Sequence, residues 1–167
     1  MALETAVERL VRARDRMRAL PLPGFLSPIE TSRQLGLAFL VLCGPALALY
    51  VAIDLERGIG APESREALAI HILLGVLAGV VEEALYRGLA RRFLGNGGLV
   101  MGTICWVVLH QFYAGVATIY RLPGDILVGI FYLKLWRGHL WWLALVIHPL
   151  WNAAIITGWQ IAKMSAM

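Results

Sequence analysis

Charge is what this sequence is short of. Only 16% of its 167 residues are Asp, Glu, Lys or Arg, and 59% are hydrophobic; a soluble domain carries about 25% charge and about 45–50% apolar residues. Such a deficit argues against a water-soluble globule. A disordered chain is excluded as well, because disorder goes with low hydrophobicity, and the mean hydropathy here is +0.71. Cysteine is scarce too. Cys43 and Cys105 both lie in apolar stretches, without a CxxC or a Cys/His metal spacing, which speaks against a disulfide framework or a zinc finger. They read as small buried hydrophobes. Internal repeats and low-complexity tracts are missing. One domain is the natural count at this length, and an integral membrane protein is the class that remains.

A bilayer core about 30 Å thick needs roughly 20 apolar residues per helix. Five segments qualify: Leu35–Ile53, Ala67–Val81 (running on as helix through Glu82, Glu83 and Arg87 toward Phe93), Leu99–Tyr120, the shorter Gly124–Trp136, and Leu140–Ile161. Turn formers at Gly60–Pro62, Gly95–Gly98, Leu122–Gly124 and Arg137–Gly138 separate them. The expected fold is all-α, a polytopic membrane helix bundle of about five transmembrane helices, with its core over residues 35–161.

Residues 1–23 are of another kind. Leu3, Ala6, Val7, Leu10, Met17 and Leu20 fall mostly along one helical stripe, and Arg9, Arg12, Arg16 and Arg18 take much of the remainder. This is a basic amphipathic helix ended by Pro21-Leu22-Pro23-Gly24. It lacks the continuous apolar core of a signal peptide and is expected to lie on an anionic cytoplasmic surface. Lys and Arg placement sets the orientation. Arg87, Arg91 and Arg92 follow the second span and Lys134 and Arg137 the fourth, whereas the loop after the first carries Asp54, Glu56, Glu63 and Glu66 against Arg57 and Arg65. The N-terminus is then cytoplasmic and the C-terminus outside, in a multi-pass protein of a cell inner membrane. The net charge of +4 is accounted for by topology, so nucleic acid is not an expected partner.

Ionisable residues within a span cost about 2.5–3.5 kcal/mol each to insert and usually mark function. At a rise of 1.5 Å per residue, Glu82 lies about 15 Å from the end of its helix near Arg92, His110 about 16 Å past Leu99, His148 about 12 Å and Asn152 about 18 Å past Leu140. Carboxylate, imidazole and carboxamide from three helices thus reach a similar level beneath the cytoplasmic face, in a chamber expected to open on the inner leaflet. Glu83 and Arg87 are i,i+4 and can pair, leaving Glu82 about 100° around the helix. His148 and Asn152 also share a face, with Pro149 between them. His71, about 16 Å from Glu82, and the interfacial His139 are read as structural.

A carboxylate and a histidine facing each other in a dry cavity can hold and deprotonate water. A second histidine and a carboxamide can donate to the oxyanion formed when that water attacks an amide. Hydrolysis of a peptide bond is the reaction this set suits best.

The residues also resemble a known family. Val81-Glu82-Glu83-Ala84-Leu85-Tyr86-Arg87-Gly88 is the EExxxR pattern of the CAAX prenyl endopeptidase and bacteriocin-processing (CPBP) family of glutamic intramembrane proteases. Trp106-Val107-Val108-Leu109-His110 resembles its FxxxH motif, with Trp for Phe, and His148-Pro149-Leu150-Trp151-Asn152 its HxxxN motif. The resemblance implies Glu82 as general base on water, His110 as its positioner, His148 and Asn152 as oxyanion binders, and Glu83 with Arg87 as support. It implies no cofactor, and as partners the lipid bilayer and a membrane-anchored or C-terminally tagged peptide substrate. Trp106 is expected to narrow the pocket. Small members of the family include enzymes for C-terminal sorting signals similar to the myxosortases.

Two other readings use the same residues. Glu82, His110 and His148 are a possible zinc set, although HExxH is absent and no second carboxylate stands with them. A bacteriocin-immunity or scaffold protein would hold a peptide without cutting it. Serine and aspartyl intramembrane proteases fit less well: no GxSxG occurs, and Leu122-Pro123-Gly124-Asp125 only superficially resembles a GxGD motif.

Overall fold

Long apolar runs punctuated by Gly and Pro give helices wherever the backbone must satisfy itself away from water. The computed structural model describes residues 2–57, 64–112 and 121–165, and every regular element among them is helical. Helix α1 (Ala2–Arg18) leads through a short 3₁₀ turn to α2 (Ser32–Ala38). A π turn (Phe39–Cys43) joins α2 to α3 (Gly44–Arg57) in one rod. Helix α4 (Arg65–Glu82) continues through a second π turn (Glu83–Leu89) into α5 (Ala90–His110), and α6 (Leu122–Arg137) and α7 (Trp141–Ser165) follow. The Gly60–Pro62 turn, Glu63 and the far end of the Leu99–Tyr120 span lie outside the described residues.

Among the described residues, three stretches are long and apolar enough to cross a membrane: Ser32–Tyr50, Arg65–His110 and Trp141–Gly158. The second is folded double. Within α5 only Gly95 leaves helical geometry, with φ 59°, a conformation glycine adopts without steric cost. Its far arm returns against the π turn, where a Cβ at Gly98 or Gly102 would strike the carbonyl oxygens of Ala90 and Tyr86. One glycine therefore makes the elbow, and the glycines after it pack the hairpin. The short rod α6 spans about 24 Å at 1.5 Å per residue and is the axis of the bundle. Val128, Phe131, Tyr132 and Leu135 are fully enclosed, so its length need not match the bilayer.

The helix of the third span ends at His110, ten residues before the expected Tyr120. Gln111 and Phe112 turn back onto Val108 and Leu109 through tight backbone bonds, and the Gln111 amide is drawn to Val107 O and to Asp125 of α6. Helix α7, by contrast, runs unbroken through Pro149. It packs on α4 through Gly75-Val76-Leu77-Ala78-Gly79, a small-xxx-small stripe that lets backbones approach. A Cβ at Gly79 would sit 2.8 Å from the Pro149 nitrogen.

Cations tie down the opposite end. Arg18 donates to Arg92 O at the elbow, Lys134 to Phe25 O, Arg137 to Leu26 O and Arg91 to Trp136 O. Of the described side chains of α1, Met17 is half-buried against Gly97 and the others are exposed, including apolar Val7, Leu10 and Val11.

Candidate active site

Glu82 closes α4 and Glu83 opens the wide π turn, a helix irregularity found frequently at functional sites. The two carboxylates differ in their surroundings. Glu83 is fully enclosed and saturated: Oε1 accepts from Arg87 Nη1 at 2.5 Å and meets His148 Nδ1 at 2.8 Å, and Oε2 accepts from Trp136 Nε1 at 2.5 Å. The Arg87 guanidinium lies between the rings of Trp106 and Tyr132, 4.9 and 5.3 Å from their centroids. Tyr132 also stacks on His148 at 4.7 Å. Glu83, Arg87, Trp106, Tyr132 and His148 each touch at least two others of this set, so the pair expected from the i,i+4 spacing is the centre of a larger assembly.

Glu82 is held more sparsely. Its Oε2 accepts from Trp106 Nε1 at 2.6 Å and stands 3.5 Å from His110 Nε2 and 3.6 Å from His148 Nε2. Trp106 thus anchors the carboxylate besides shaping the pocket. Of the expected set, Glu82, His110 and His148 are brought together. Asn152 lines the same cavity, but its Nδ2 donates to Gly75 O at 2.9 Å, so one amide hydrogen fastens α7 to α4. An oxyanion role for Asn152 rests on the other.

Three residues of the site escaped the sequence reading. Asp125, in the first turn of α6, is 3% exposed. It accepts from Tyr50 OH at 2.5 Å and from Gln111 Nε2 at 2.7 Å, and faces His110 Nδ1 at 3.4 Å. Its position carries a signal, because an acid inside an apolar span is a functional candidate in its own right, whereas comparison with a GxGD motif treats Asp125 only as one letter of a pattern. Tyr50 and Gln111 carry no such mark, since their role comes from contact with Asp125.

Ionised carboxylates accept hydrogen bonds and cannot donate them. Asp125 and Glu83 therefore favour a proton on the Nδ1 of His110 and His148 respectively. The Nε2 atoms of both imidazoles then converge on Glu82. Among the described residues, no group of three or more His, Cys, Asp or Glu side chains is disposed to hold a metal ion.

The cavity at this point measures about 340 Å³ and is lined mainly by apolar side chains of α4 and α7, the composition expected of a ligand pocket. It runs from Glu82 toward the amino-terminal part of α4, reaching Ala78, Leu74 and His71. This departs from the expected opening on the Arg-rich face, because the other side of Glu82 is filled by Glu83, Arg87, Tyr132, Leu135 and Trp136, all buried. His71, read as structural, stands at the cavity's far end with Nδ1 2.7 Å from Ala67 O.

The described residues thus form a helical bundle with stretches long and apolar enough to cross a membrane, and two histidines face one buried carboxylate within it. The sequence model of the type II CAAX prenyl endopeptidase Rce1-like family matches residues 64–154, a stretch that holds Glu82, Glu83, Arg87, Trp106, His110, Asp125, His148 and Asn152. The chain belongs to that family, and it is a CAAX-type intramembrane protease. No curated protein and no solved structure matches it.

Proposed function

We propose that the protein hydrolyses a peptide bond of a membrane-associated protein or peptide, using water activated by Glu82 and His110. The single observation supporting this most strongly is the convergence of His110 Nε2 and His148 Nε2 on Glu82 Oε2 at 3.5 and 3.6 Å. One carboxylate oxygen thus faces two imidazole nitrogens at the wall of a cavity, where a water can hydrogen-bond to both kinds of group. A water giving one hydrogen to Glu82 and the other to His110 turns its lone pairs toward a carbonyl carbon in the cavity. Its oxygen bonds to that carbon as one proton passes to Glu82. The carbonyl oxygen, now an oxyanion, is stabilised by the remaining Asn152 N–H and by His148 when Nε2 is protonated. Collapse breaks the C–N bond and Glu82 returns its proton to the leaving amine, so one water is consumed and no cofactor is required.

In this reading Asp125 is a positioning residue that holds the His110 ring from behind, and Glu83 does the same for His148. The substrate is a C-terminal sorting signal, a CAAX-like tail or a leader peptide, presented in the inner membrane to a protein whose N-terminus is cytoplasmic. Glu82→Gln keeps an acceptor for Trp106 but loses the base. We expect it to accumulate in the membrane normally and to lose about 10²–10⁴-fold in rate, read by comparing membrane peptidomes of cells carrying either form. Full biological effect from Glu82→Gln would favour a non-catalytic immunity or scaffold role. Cleavage abolished by a chelator and restored by zinc would replace this mechanism with a metal-dependent one.

A further inference from the structure

One side chain reaches the base, both histidines and the arginine beneath them. Trp106, on α5 and 1% exposed, stands one helical turn before His110, so the two share a face, and its ring lies 4.1 Å from that imidazole. It meets His148 edge-on at 5.5 Å and Tyr132 at 6.5 Å, and the Arg87 guanidinium covers it at 4.9 Å. These neighbours hold the indole in one orientation, with its N–H aimed at Glu82 Oε2 at 2.6 Å. A group locked by its surroundings in this way can fix a second one without reorganising during reaction.

The two oxygens of Glu82 are thereby made unequal. Oε2 accepts from Trp106 and faces both imidazole Nε2 atoms, whereas Oε1 has no hydrogen bond among the described residues. Glu82 and Trp106 both line the cavity. An indole N–H donates and never accepts, so the oxygen it bonds must keep a lone pair for it. A carboxyl group protonated on Oε1 leaves Oε2 as a carbonyl-type acceptor, and the bond to Trp106 survives. A proton on Oε2 would crowd the indole and both imidazoles around the same oxygen.

We infer that Trp106 is a positioning residue for the base: its N–H fixes the Glu82 carboxylate and leaves Oε1 as the oxygen that exchanges protons. Water loses one proton to Oε1 as its oxygen bonds to the carbonyl carbon. Oε1 then gives that proton to the nitrogen as the C–N bond breaks, and Trp106 itself neither gains nor loses one. The proton transfer rests on the hydrolytic reading of the site; the hydrogen bond does not. An apolar ring of the same shape would make the other contacts of Trp106, so the N–H is the part that carries this role.

The test removes the N–H and keeps the ring. Trp106 is replaced by benzothienylalanine, an isostere with sulfur in place of N–H, and Trp106→Phe serves as a second variant. Cleavage is followed with an internally quenched peptide built on a Glu82-dependent site from the membrane peptidomes. In the folded fraction of either variant kcat should fall about 10²-fold, the scale of a misplaced catalytic group, and in the isostere KM should stay as in the parent. Parental kcat in the isostere, or a loss confined to KM, would overturn the proposal, because shape alone would then account for Trp106. In protein carrying isotopically labelled tryptophan, the indole N–H resonance that disappears in Trp106→Phe should move upfield in Glu82→Ala. A resonance unmoved by Glu82→Ala would overturn the hydrogen bond, whether or not a peptide is cleaved. If no Glu82-dependent peptide is found, hydrolysis and the proton exchange at Oε1 fall together, while the resonance still decides whether Trp106 fixes the carboxylate.

Discussion

Removing Arg87 tests whether the assembly beneath the site is a support. In Arg87→Met the ion pair at 2.5 Å, whose partners are both fully enclosed, disappears and Glu83 is left as a buried charge. Breaking such a pair from one side costs about 3–5 kcal/mol. Loss of the guanidinium from between Trp106 and Tyr132 adds about 2 kcal/mol for desolvated cation–π contacts. The total rivals the whole stability of many domains, about 5–15 kcal/mol, so little folded protein should reach the membrane. The double variant Glu83→Gln, Arg87→Met removes both charges and leaves a carboxamide oxygen in place of the carboxylate to accept from Trp136 or His148. It should therefore cost several kcal/mol less than the sum of the single changes, a coupling typical of residues in one network. Thermal unfolding midpoints of detergent-purified protein, with membrane accumulation alongside, provide the measurement. An Arg87→Met protein with an unchanged midpoint, or strictly additive single effects, would refute the supporting role.

Asp125→Asn should lower the unfolding midpoint, because a carboxamide cannot accept at both positions from Tyr50, Gln111 and His110, and should lower kcat/KM of the folded fraction about 10²-fold, since a misplaced His110 costs about that much; a displaced pH profile of kcat/KM would separate this from a purely structural effect. Gly79→Ala should be poorly tolerated, by about 1–3 kcal/mol for overpacking and with loss of cleavage, because its Cβ meets Pro149 backbone at 2.8 Å. Gly75→Ala meets only the tip of Ile156 at 2.7 Å, a flexible side chain, and should accumulate and cleave nearly as the parent does; equal behaviour of the two alanine variants would contradict the close packing of α4 on α7.

Short-range pattern made much of this legible. The apolar runs, the Glu83–Arg87 pair and the common depth of Glu82, His110 and His148 follow from counting residues along single helices, where rise and periodicity are fixed. The elbow was legible only as a glycine-rich stretch, because Gly95 takes the positive φ while Asn96, Gly97 and Gly98 remain helical. The π turn was not legible, since nothing in Glu83–Leu89 differs from good helix sequence. Asp125 was visible as a residue but its partners were not. Tyr50, His110 and Gln111 meet it across three chain segments, and no periodicity encodes that encounter. Which side of Glu82 is filled is not legible for the same reason: depth along a helix says where Glu82 stands, while large side chains contributed by α6 decide which side of it is packed.

Two adjacent glutamates end up with different work because their donors differ. Glu83 receives Arg87, Trp136 and His148 within 2.8 Å; taking a proton would disrupt several of these contacts at once. Glu82 has one close donor, Trp106, and two imidazole nitrogens at 3.5 and 3.6 Å, so a water can be held beside it and a proton accepted with little rearrangement. The distinction predicts opposite signatures. Glu82→Gln should lose turnover at preserved stability. Glu83→Gln should lose stability first, with the remaining folded fraction weakened through His148, because a carboxamide cannot accept at both oxygens from three donors. If Glu83→Gln instead folded normally and lost only turnover, the adjacent carboxylates would have to share the proton, and the assignment of a single base would fall.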